Sequence, residues 1–518
     1  MKFISKRRKF IFIPIIIICL FFCVLVIGNF LLPLLTPSSK PNKIMPIPTN
    51  IDTSTDMSTA KLRANLYDTA SGYCETQANN LRSQILNSKN TQELYKISGT
   101  TYYVSSSQGD DNNDGLSPEK PLKSIFGIRK SYKASGDAVL FKRGDTFRFG
   151  ESFFTEDGLI YGAYGEGEKP KIYGSPENYA KSKNWQKHRK NIWKIPFDYP
   201  EAGGVVINHG QIVGVKKSMV FTLFENGDYY HDIYSGYLYL YCNSGNPSEE
   251  YQDIEIMPST TIFDAVDGNY NVTIDNLCLK YSAGFAIHAI NALDFTVTNC
   301  EIGFIGGKWT SDKRVRYGNA IEFWSGAEKV KVENNWVYQT FDSALTWQGK
   351  NGRKYIDVSF SNNLLEYNNA DIEFFENEGL LSNFVIKNNI MRFTSMGWGT
   401  RRNDGGIRGI EGCIRGVTGS HPRNKPVTVE SAYFIDNIID CPARQIINWS
   451  WEPEHSEVIH AKGTKLYIKE EYRTLKKCLQ GLQTKKGESY YKRSASNLQE
   501  LKQDFETFEK DAEIYWGK

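Results

Sequence analysis

The chain has 518 residues, and 62 Lys and Arg residues against 59 Asp and Glu residues give it a net charge of only +3. A balance of this kind supplies no basic surface of the sort that nucleic acids require, so nucleic acid is not expected as a partner. The nine cysteines include no Cys-x-x-Cys pair and no close Cys/His spacing, which argues against a disulfide scaffold and against zinc.

The N-terminus combines a basic flank with a long hydrophobic segment. Residues 1–9 include five Lys and Arg residues, and residues 10–35 are uncharged. Such a run is long enough to cross a bilayer as a helix, and the basic flank is expected to stay in the cytoplasm. We therefore predict a single-pass signal anchor in the cell membrane with an extracytoplasmic C-terminal body. Cleavage near Gly28 is the alternative.

Residues 36–98 follow the predicted anchor and begin with a stretch rich in Pro, Ser, Thr and Asn. This composition is typical of a linker, so the segment is predicted to be a stalk with a weakly helical second half. The ordered body is expected to begin at residue 99 and to open with a strand at 101–104.

An acidic loop comes directly after that first strand. Asp110, Asp111 and Asp114 resemble a calcium loop, but the distal Glu of an EF-hand is missing. A turn in which the side chains bond to nearby backbone is the favoured interpretation. No cofactor is therefore predicted, and calcium at these three residues is the alternative.

Two further segments differ from the strand-rich text around them. Residues 184–258 contain hairpin-like strands and an Asn226-Gly227 turn signal, which predicts a small antiparallel insertion. Residues 461–518 are charged and place apolar side chains at helical spacing, which predicts a helical tail that caps the open end of the body.

A repeated motif occupies the region between them. A strand-like run ends in Asn at 276, 299, 334, 362 and 388, and the four intervals are 23 to 35 residues long. A repeat of this length indicates a solenoid whose coils carry insertions of different size. Asn suits both a left-handed turn and a ladder of stacked side-chain amides. We predict that Asn334, Asn362 and Asn388 stack at one turn.

These repeats, together with the opening Tyr102-Tyr-Val-Ser and Gly109-Asp-Asp-Asn-Asn-Asp-Gly, resemble the right-handed parallel β-helix proteins of the pectate-lyase-like superfamily. The resemblance covers residues 99–460 and implies an all-β fold and a carbohydrate ligand. It does not choose a reaction, since the superfamily includes lyases, hydrolases, epimerases and non-catalytic adhesins.

Aligning the coils on the Asn positions superposes a second strand in each coil. Side chains alternate between the two faces of a strand, so two aliphatic and aromatic ladders should point inward. The inward positions are Ile287, Ile321, Leu345 and Ile372, and then Ala289, Phe323, Trp347 and Phe374. The outward column between them contains His288, Glu322, Thr346 and Glu373.

The catalytic candidates are the carboxylates of this column and its surroundings, namely Glu322, Asp342, Asp371 and Glu373. Two strand spacings place Glu322 and Glu373 roughly 9–10 Å apart. This lies near the upper edge of the separation of about 6.5–9.5 Å found for the acid and base of an inverting glycosidase. A solvated outer face, where acidic residues are common, is the competing interpretation.

Further side chains are predicted to bind substrate beside these acids. The next outward column and two long loops, 306–317 and 397–425, adjoin the same strands. Long loops on a regular scaffold commonly carry binding residues. The predicted substrate-binding residues are His288, Trp324, Gln348, Phe375, Trp398, Arg401 and Arg408.

The sequence therefore predicts a membrane-anchored enzyme that degrades polysaccharide, with hydrolysis favoured because carboxylates dominate the column. Two alternatives stay open. One is a polysaccharide lyase acting on uronic-acid glycans, and the other is a cell-surface protein that binds carbohydrate without catalysis.

Overall fold

The computed structural model describes residues 72–131, 133–266, 269–349, 352–376, 379–402, 412–418, 428–443, 445–449, 458–469, 498–506 and 508–517. The predicted anchor at 10–35 lies outside these residues. No helix in the described part of the chain is both long and apolar enough to span a membrane.

Helices are few and short in the described part of the chain. The α-helices are α1 Glu75–Leu86, α2 Thr91–Leu94, α3 Ile125–Lys130, α4 Pro247–Glu250 and α5 Leu498–Glu506. The 3-10 turns are η1 Tyr179–Lys181, η2 Asn208–Gly210, η3 Val220–Thr222 and η4 Trp398–Arg401.

Strands make up most of the described chain. The first coils contain β1 Thr101–Val104, β2 Ala138–Lys142, β3 Thr146–Arg148, β4 Phe153–Phe154, β5 Ile160–Tyr164 and β6 Lys171–Tyr173. The next seven are β7 Gln186–Arg189, β8 Ile192–Pro196, β9 Ala202–Ile207, β10 Ile212–Val213, β11 Tyr229–Asp232, β12 Tyr237–Tyr241 and β13 Ile254–Pro258.

The central coils contain β14 Thr261–Ala265, β15 Tyr270–Asp275, β16 Cys278–Ser282, β17 Phe285–Thr298, β18 Glu301–Ile305, β19 Lys308–Trp309, β20 Arg316–Tyr317, β21 Ile321–Glu333, β22 Trp336–Thr340, β23 Ser343–Gln348, β24 Lys354–Ser361, β25 Leu364–Glu366 and β26 Ala370–Glu376. The last are β27 Leu380–Ser382, β28 Phe384–Lys387, β29 Ile390–Arg392, β30 Gly412–Thr418, β31 Thr428–Val429, β32 Ala432–Ile435, β33 Ile438–Asp440, β34 Gln445–Trp449, β35 Ile459–Lys462, β36 Lys465–Lys469 and β37 Glu513–Gly517.

The strands of successive coils pair in parallel and build three faces. The first face contains β14, β23, β26, β30 and β34, and the second contains β15, β24, β28, β32 and β35. The long strands β17 and β21 each contribute to both faces. The third face is a ten-stranded sheet that contains β16, β18, β22 and β25. The predicted parallel β-helix is therefore confirmed.

The two residues of each Asn pair at the ends of the second-face strands have different structural roles. The first residue of each pair takes the left-handed conformation, with φ of 57° at Asn334, 54° at Asn362 and 55° at Asn388. The second residue is buried, and its amide bonds to the next coil: Nδ2 of Asn335 donates to Oδ1 of Asn363 at 3.1 Å. The same bond continues through Asn389 and Asn437, so the polar ladder runs through four coils.

The two inward ladders that the sequence predicts lie in the core of the β-helix. Ile287, Ile321, Leu345 and Ile372 are all fully buried, as are Ala289, Phe323, Trp347 and Phe374. The ring of Trp347 stacks on that of Phe374, with centroids 5.2 Å apart. The two ladders therefore fix which side chains of the first face point away from the core.

The segment at 184–258 forms two antiparallel sheets with a hydrophobic core of their own. The inner sheet has the order β10-β9-β13, and the outer sheet has the order β11-β12-β8-β7. Strands β9 and β13 both contact β16 of the third face. The insertion therefore lies against the β-helix through its inner sheet.

Residues 72–98 are packed against the β-helix and do not form a free stalk. Helix α1 contacts β25 of the third face. Arg82 on this helix is buried and forms an ion pair of 2.6 Å with Glu366, which also pairs with Arg392 at 3.0 Å. Because a buried charge needs its partner, this network fixes α1 to the coils.

The C-terminal segment combines strands with a helix. Parallel coils continue through β36, past the expected boundary at residue 460, and β37 pairs with β36 as the last strand of the third face. Helix α5 places Leu501 and Phe505 in the core of the β-helix, where both are fully buried. The tail therefore covers apolar side chains of the last coils.

The Asn ladder should contribute measurably to stability. Replacing Asn363 by Ala leaves buried partners in two neighbouring coils without their hydrogen bonds, which typically costs about 1–3 kcal/mol per unsatisfied group. Asn362→Gly is the matched control, because glycine adopts a positive φ readily. Urea unfolding should show a clear loss of stability for Asn363→Ala and a small change for the control. Equal midpoints for both variants would contradict a structural role for the ladder.

Candidate active site on the first face

One outward column of the first face carries most of the ionisable side chains that the sequence singled out. The strand register pairs His288 with Glu322, Glu322 with Thr346, and Thr346 with Glu373. This is the order predicted from aligning the coils on their Asn positions. The register extends the column by Asp264 before His288 and by Arg415 after Glu373. We call these six residues the acidic wall.

Glu322 is held in a nearly buried position on the acidic wall. Its carboxylate is 5% exposed and accepts a hydrogen bond from the Asn319 side chain. The ring Nε2 of His288 lies 3.8 Å from Oε1 of Glu322. Burial raises the pKa of Glu322 to about 7, and the charge of Glu373 adds to the rise, while His288 and Lys308 oppose it. Glu322 can therefore hold a proton near neutral pH.

Glu373 lies two strands away in a different environment. Its Oε1 forms an ion pair with Nη1 of Arg415 at 2.9 Å. Its Oε2 accepts hydrogen bonds from the Ser343 hydroxyl and, at 3.4 Å, from the Gln348 amide. An ion pair with arginine is an interaction of the charged carboxylate, so the two glutamates of the wall differ in what surrounds them.

The burial of these two glutamates decides against a solvated outer face. Side chains on such a face would be largely exposed to solvent, whereas those of Glu322 and Glu373 are 5% and 6% exposed. Thr346, which lies between them, is fully buried. The strand spacing separates the two positions by roughly 9–10 Å.

His288 and Asp264 form a hydrogen-bonded pair at the start of the acidic wall. Nδ1 of His288 lies 2.9 Å from Oδ1 of Asp264, and the ring stacks on Phe285 with centroids 4.8 Å apart. The carboxylate orients the imidazole so that its other nitrogen faces Glu322. Asp264 is not among the site residues predicted from the sequence. The pattern Phe263-Asp264-Ala265, which repeats Ile287-His288-Ala289 one coil earlier, was the available signal.

The loop at 306–317 forms a hairpin of β19 and β20 that brings Lys308 to the wall. The Lys308 ammonium lies 4.4 Å from the ring centre of Phe285 and 4.9 Å from that of Tyr317. Burial lowers the pKa of Lys308, and the nearby carboxylates of Glu322 and Asp264 oppose the shift. The sequence placed this loop beside the site, but nothing in it distinguished Lys308 from other loop cations.

The second outward column also has the expected register. Trp324 pairs with Gln348, and Gln348 pairs with Phe375. All three side chains are partly exposed, as is His288. Aromatic side chains beside acids offer an apolar surface to the face of a sugar ring. These residues lie next to the buried carboxylates along the same strands.

Asp371 lies outside the wall, contrary to the expectation that it opens onto the same surface. It takes the column position of Ala320 and Ala344, which belong to the core. The side chain is fully buried and accepts hydrogen bonds from the Thr394 hydroxyl and, at 3.1 Å, from the Asn368 amide. The chain bends where the strand begins, so strand parity alone misplaced this residue.

Asp342 and Trp398 also have structural partners. The Asp342 carboxylate is nearly buried and lies 3.5 Å from Nη1 of Arg402, whose guanidinium covers the Phe341 ring. Trp398 is 3% exposed, packs on Phe341 and donates from its ring nitrogen to a backbone carbonyl at 2.8 Å. A buried indole cannot serve as an open platform for a sugar, so the prediction for Trp398 is corrected.

Two of the predicted substrate-binding arginines are not described. The Arg401 side chain and all of Arg408 lie outside the described residues. Arg415, which the sequence placed in the loop at 397–425, lies instead on β30 within the acidic wall.

The acidic loop after β1 is a set of local turns. Asp111 accepts bonds from the backbone amides of Lys123 and Ser124, directly before helix α3, and Ser124 caps that helix. Asp110 and Asp114 each accept from a backbone amide two residues later. Among the described residues, no group of three or more His, Cys, Asp or Glu side chains is arranged to hold a metal ion. Asp110 and Asp114 therefore have the short-range backbone bonds of a turn.

The fold and the wall together define a parallel β-helix protein with a buried pair of glutamates on its first face. No family model and no curated protein matches the sequence. Three similar solved structures are the complex of XylC with xylose, a protein described as a glycoside hydrolase, and pectate lyase Pel9A.

The identities to these structures are 11%, 9% and 12%, with TM-scores of 0.38, 0.39 and 0.32. The alignments cover 80%, 81% and 71% of this chain, and 83%, 96% and 74% of the other chains. Likeness at this level carries no information about chemistry, which depends on the side chains of the acidic wall.

The burial of Asp371 predicts a pH-dependent contribution to stability. Burial raises the pKa of Asp371 from its ordinary value near 4 to about 8. The folded protein therefore keeps a proton that the unfolded chain releases, and stability should fall as the pH rises from about 4 to 8. Asp371→Asn cannot ionise, so its urea midpoint should fall less between pH 5 and pH 8 than that of the wild type. An unchanged pH dependence would show that Asp371 ionises normally in the fold.

Proposed function

We propose that this protein is a glycoside hydrolase that cleaves polysaccharide with Glu322 as the proton donor and Glu373 as the base. The carrying observation is that two nearly buried glutamates occupy one column with different surroundings. The raised pKa of Glu322 suits a general acid, and the ion pair of Glu373 with Arg415 suits a charged partner.

The separation of the two glutamates favours inversion over retention. Two strand spacings together amount to roughly 9–10 Å, and this separation leaves room for a water molecule between the base and the sugar carbon. A retaining mechanism needs carboxylates about 5 Å apart, which neighbouring strands could provide but alternate strands do not. The intervening Thr346 keeps Glu322 and Glu373 from direct contact.

A second candidate function is β-elimination on a uronic-acid glycan. Lys308 favours it, because a lysine with a lowered pKa is deprotonated to a larger extent than an ordinary lysine, and its neutral amine can act as the base. Arg415 on the same wall could neutralise a substrate carboxylate. New reducing ends without ultraviolet-absorbing products would indicate hydrolysis, whereas unsaturated, absorbing products would indicate elimination. Glycan binding with neither product would indicate a non-catalytic binding protein.

The catalytic prediction concerns the two glutamates of the wall. Glu322→Gln and Glu373→Gln should each lower kcat by about 100- to 10,000-fold on the polysaccharide that the wild type cleaves best in a glycan panel. Glu328→Gln is a matched control, since this residue lies on the same strand β21 but is exposed on the second face. Near-wild-type turnover in both test variants would refute the assignment.

The pH profile of the wild type checks the role of Glu322 in the same assay. A general acid with a pKa of about 7 loses its proton as the pH rises, so kcat/KM should fall above about pH 7. In the Glu322→Gln variant this alkaline limb should be absent from the residual activity.

We also propose that the enzyme is held at the outer side of the cell membrane by residues 10–35. The support is in the sequence, where a basic flank precedes an uncharged run of spanning length. Protease added to intact cells should then degrade the body, and a domain facing the cytoplasm as internal control should survive. Protection of the body would reverse the topology, and soluble protein beginning after residue 28 would show cleavage.

A further inference from the structure

The outer sheet of the insertion has one buried face and one face that is open to solvent. Along β12, Leu238 and Leu240 are fully buried in the core of the insertion. Tyr237, Tyr239 and Tyr241 alternate with them and are partly exposed. Because side chains alternate along a strand, these three rings share the open face, with successive rings about 7 Å apart.

Neighbouring strands extend this face on both sides. Tyr230 lies opposite Tyr239 in the register, and their rings stack with centroids 6.1 Å apart. His188 packs edge-on against Tyr239 at 5.0 Å, and the Lys194 ammonium lies 4.1 Å from the ring centre of Tyr237. We call this surface the tyrosine face. It consists of Tyr230, Tyr237, Tyr239, Tyr241, His188 and Lys194.

The edge of the tyrosine face is positively charged. Strand β7 and the turn after it carry Lys187, Arg189 and Lys190, and all three side chains are exposed. Burial lowers the pKa of His188, and the charges of Arg189 and Lys194 lower it further. The aromatic rings are therefore bordered by cations on the side of β7 and β8.

We propose that the tyrosine face is a second carbohydrate-binding surface, which takes an anionic polysaccharide chain. The flat faces of pyranose rings can stack on the tyrosines, whose hydroxyl groups offer hydrogen bonds at the rim. Carboxylates of uronic-acid units complement the cations on β7 and β8. A flat, open sheet with rings in a row fits an extended chain.

The chemistry of the face favours a glycan over a lipid surface. Its apolar contacts come from tyrosines, which combine a ring with a polar group, and the strand itself exposes no aliphatic side chain. The more apolar residues nearby, Met219, Phe221 and Phe224, lie on the loop before β11 and outside the sheet. Membrane binding is therefore the competing outcome in the test.

The test uses the full chain in detergent and affinity electrophoresis in gels that contain polygalacturonate. The double variant Tyr237→Ala/Tyr239→Ala should bind at least about tenfold more weakly than the wild type, because two stacking contacts are lost. Tyr270→Ala is the control, since this tyrosine is 46% exposed on β15 of the β-helix. Thermal unfolding of the double variant should match that of the wild type, as neither ring lies in a core.

Lys194→Gln provides a second, independent variant. It should weaken binding to polygalacturonate and leave the weaker binding to neutral dextran unchanged, and added salt should reduce the difference. Equal binding by the wild type and the double variant would overturn the proposal. So would tyrosine-dependent binding to phosphatidylglycerol vesicles without tyrosine-dependent binding to polygalacturonate.

The outcome is separable from that of the proposed catalysis. Glu373→Gln changes the acidic wall and leaves the tyrosine face intact, so it should retain wild-type binding to the gel whether or not it retains activity. The double variant, conversely, should cleave short soluble oligosaccharides at the wild-type rate. Loss of gel binding in Glu373→Gln would mean that the wall itself holds the polymer, which would overturn a separate surface.

Discussion

The parallel register between coils is the constraint on which the rest of this structure depends. Hydrogen bonds of the Asn335, Asn363, Asn389 and Asn437 amides tie each coil to the next at one corner, and left-handed turns directly before them bring the chain back in phase. A slip of one residue would turn every inward side chain outward. Because the register is fixed, side chains far apart in the sequence become neighbours in a straight column, and the acidic wall is such a column.

Burial then gives chemically identical side chains different properties. Glu322, Glu373 and Asp371 are all nearly or fully buried, yet their partners differ: a neighbouring amide, an arginine and a threonine hydroxyl. Removing a carboxylate from water favours its neutral form, whereas a positive charge close by or hydrogen bonds to its oxygens oppose that preference. The contrast between Glu322 and Glu373 is the basis for assigning them the roles of acid and base. Asp371 has the raised pKa of a proton donor but lies within the core, so a perturbed pKa identifies an active-site residue only when the group also lies beside the wall.

Segments that interrupt the repeat add side chains and contacts that the regular coils do not provide. The β19–β20 hairpin adds Lys308 to the wall. In the same hairpin, the backbone amide of Trp309 donates a hydrogen bond to Glu201, which directly precedes strand β9 of the insertion. The insertion therefore helps to hold one border of the site while its outer sheet presents the tyrosine face elsewhere. A regular solenoid provides straight columns, and side chains from outside the repeat are needed to cover them.

The sequence by itself determined the parallel β-helix, the two inward ladders and the order His288, Glu322, Thr346, Glu373, because all of these follow from a period and from strand alternation. Asp264 followed the same rule one coil earlier, without an Asn motif to mark it. The tertiary structure decided the positions that the repeat period and strand alternation do not predict. Asp371 turns into the core where the chain bends, Asp342 pairs with Arg402, Trp398 packs on Phe341, and Lys308 reaches the wall through a hairpin. Each of these depends on groups from distant parts of the chain, such as Thr394 and Arg402, whose positions become fixed only when the coils stack.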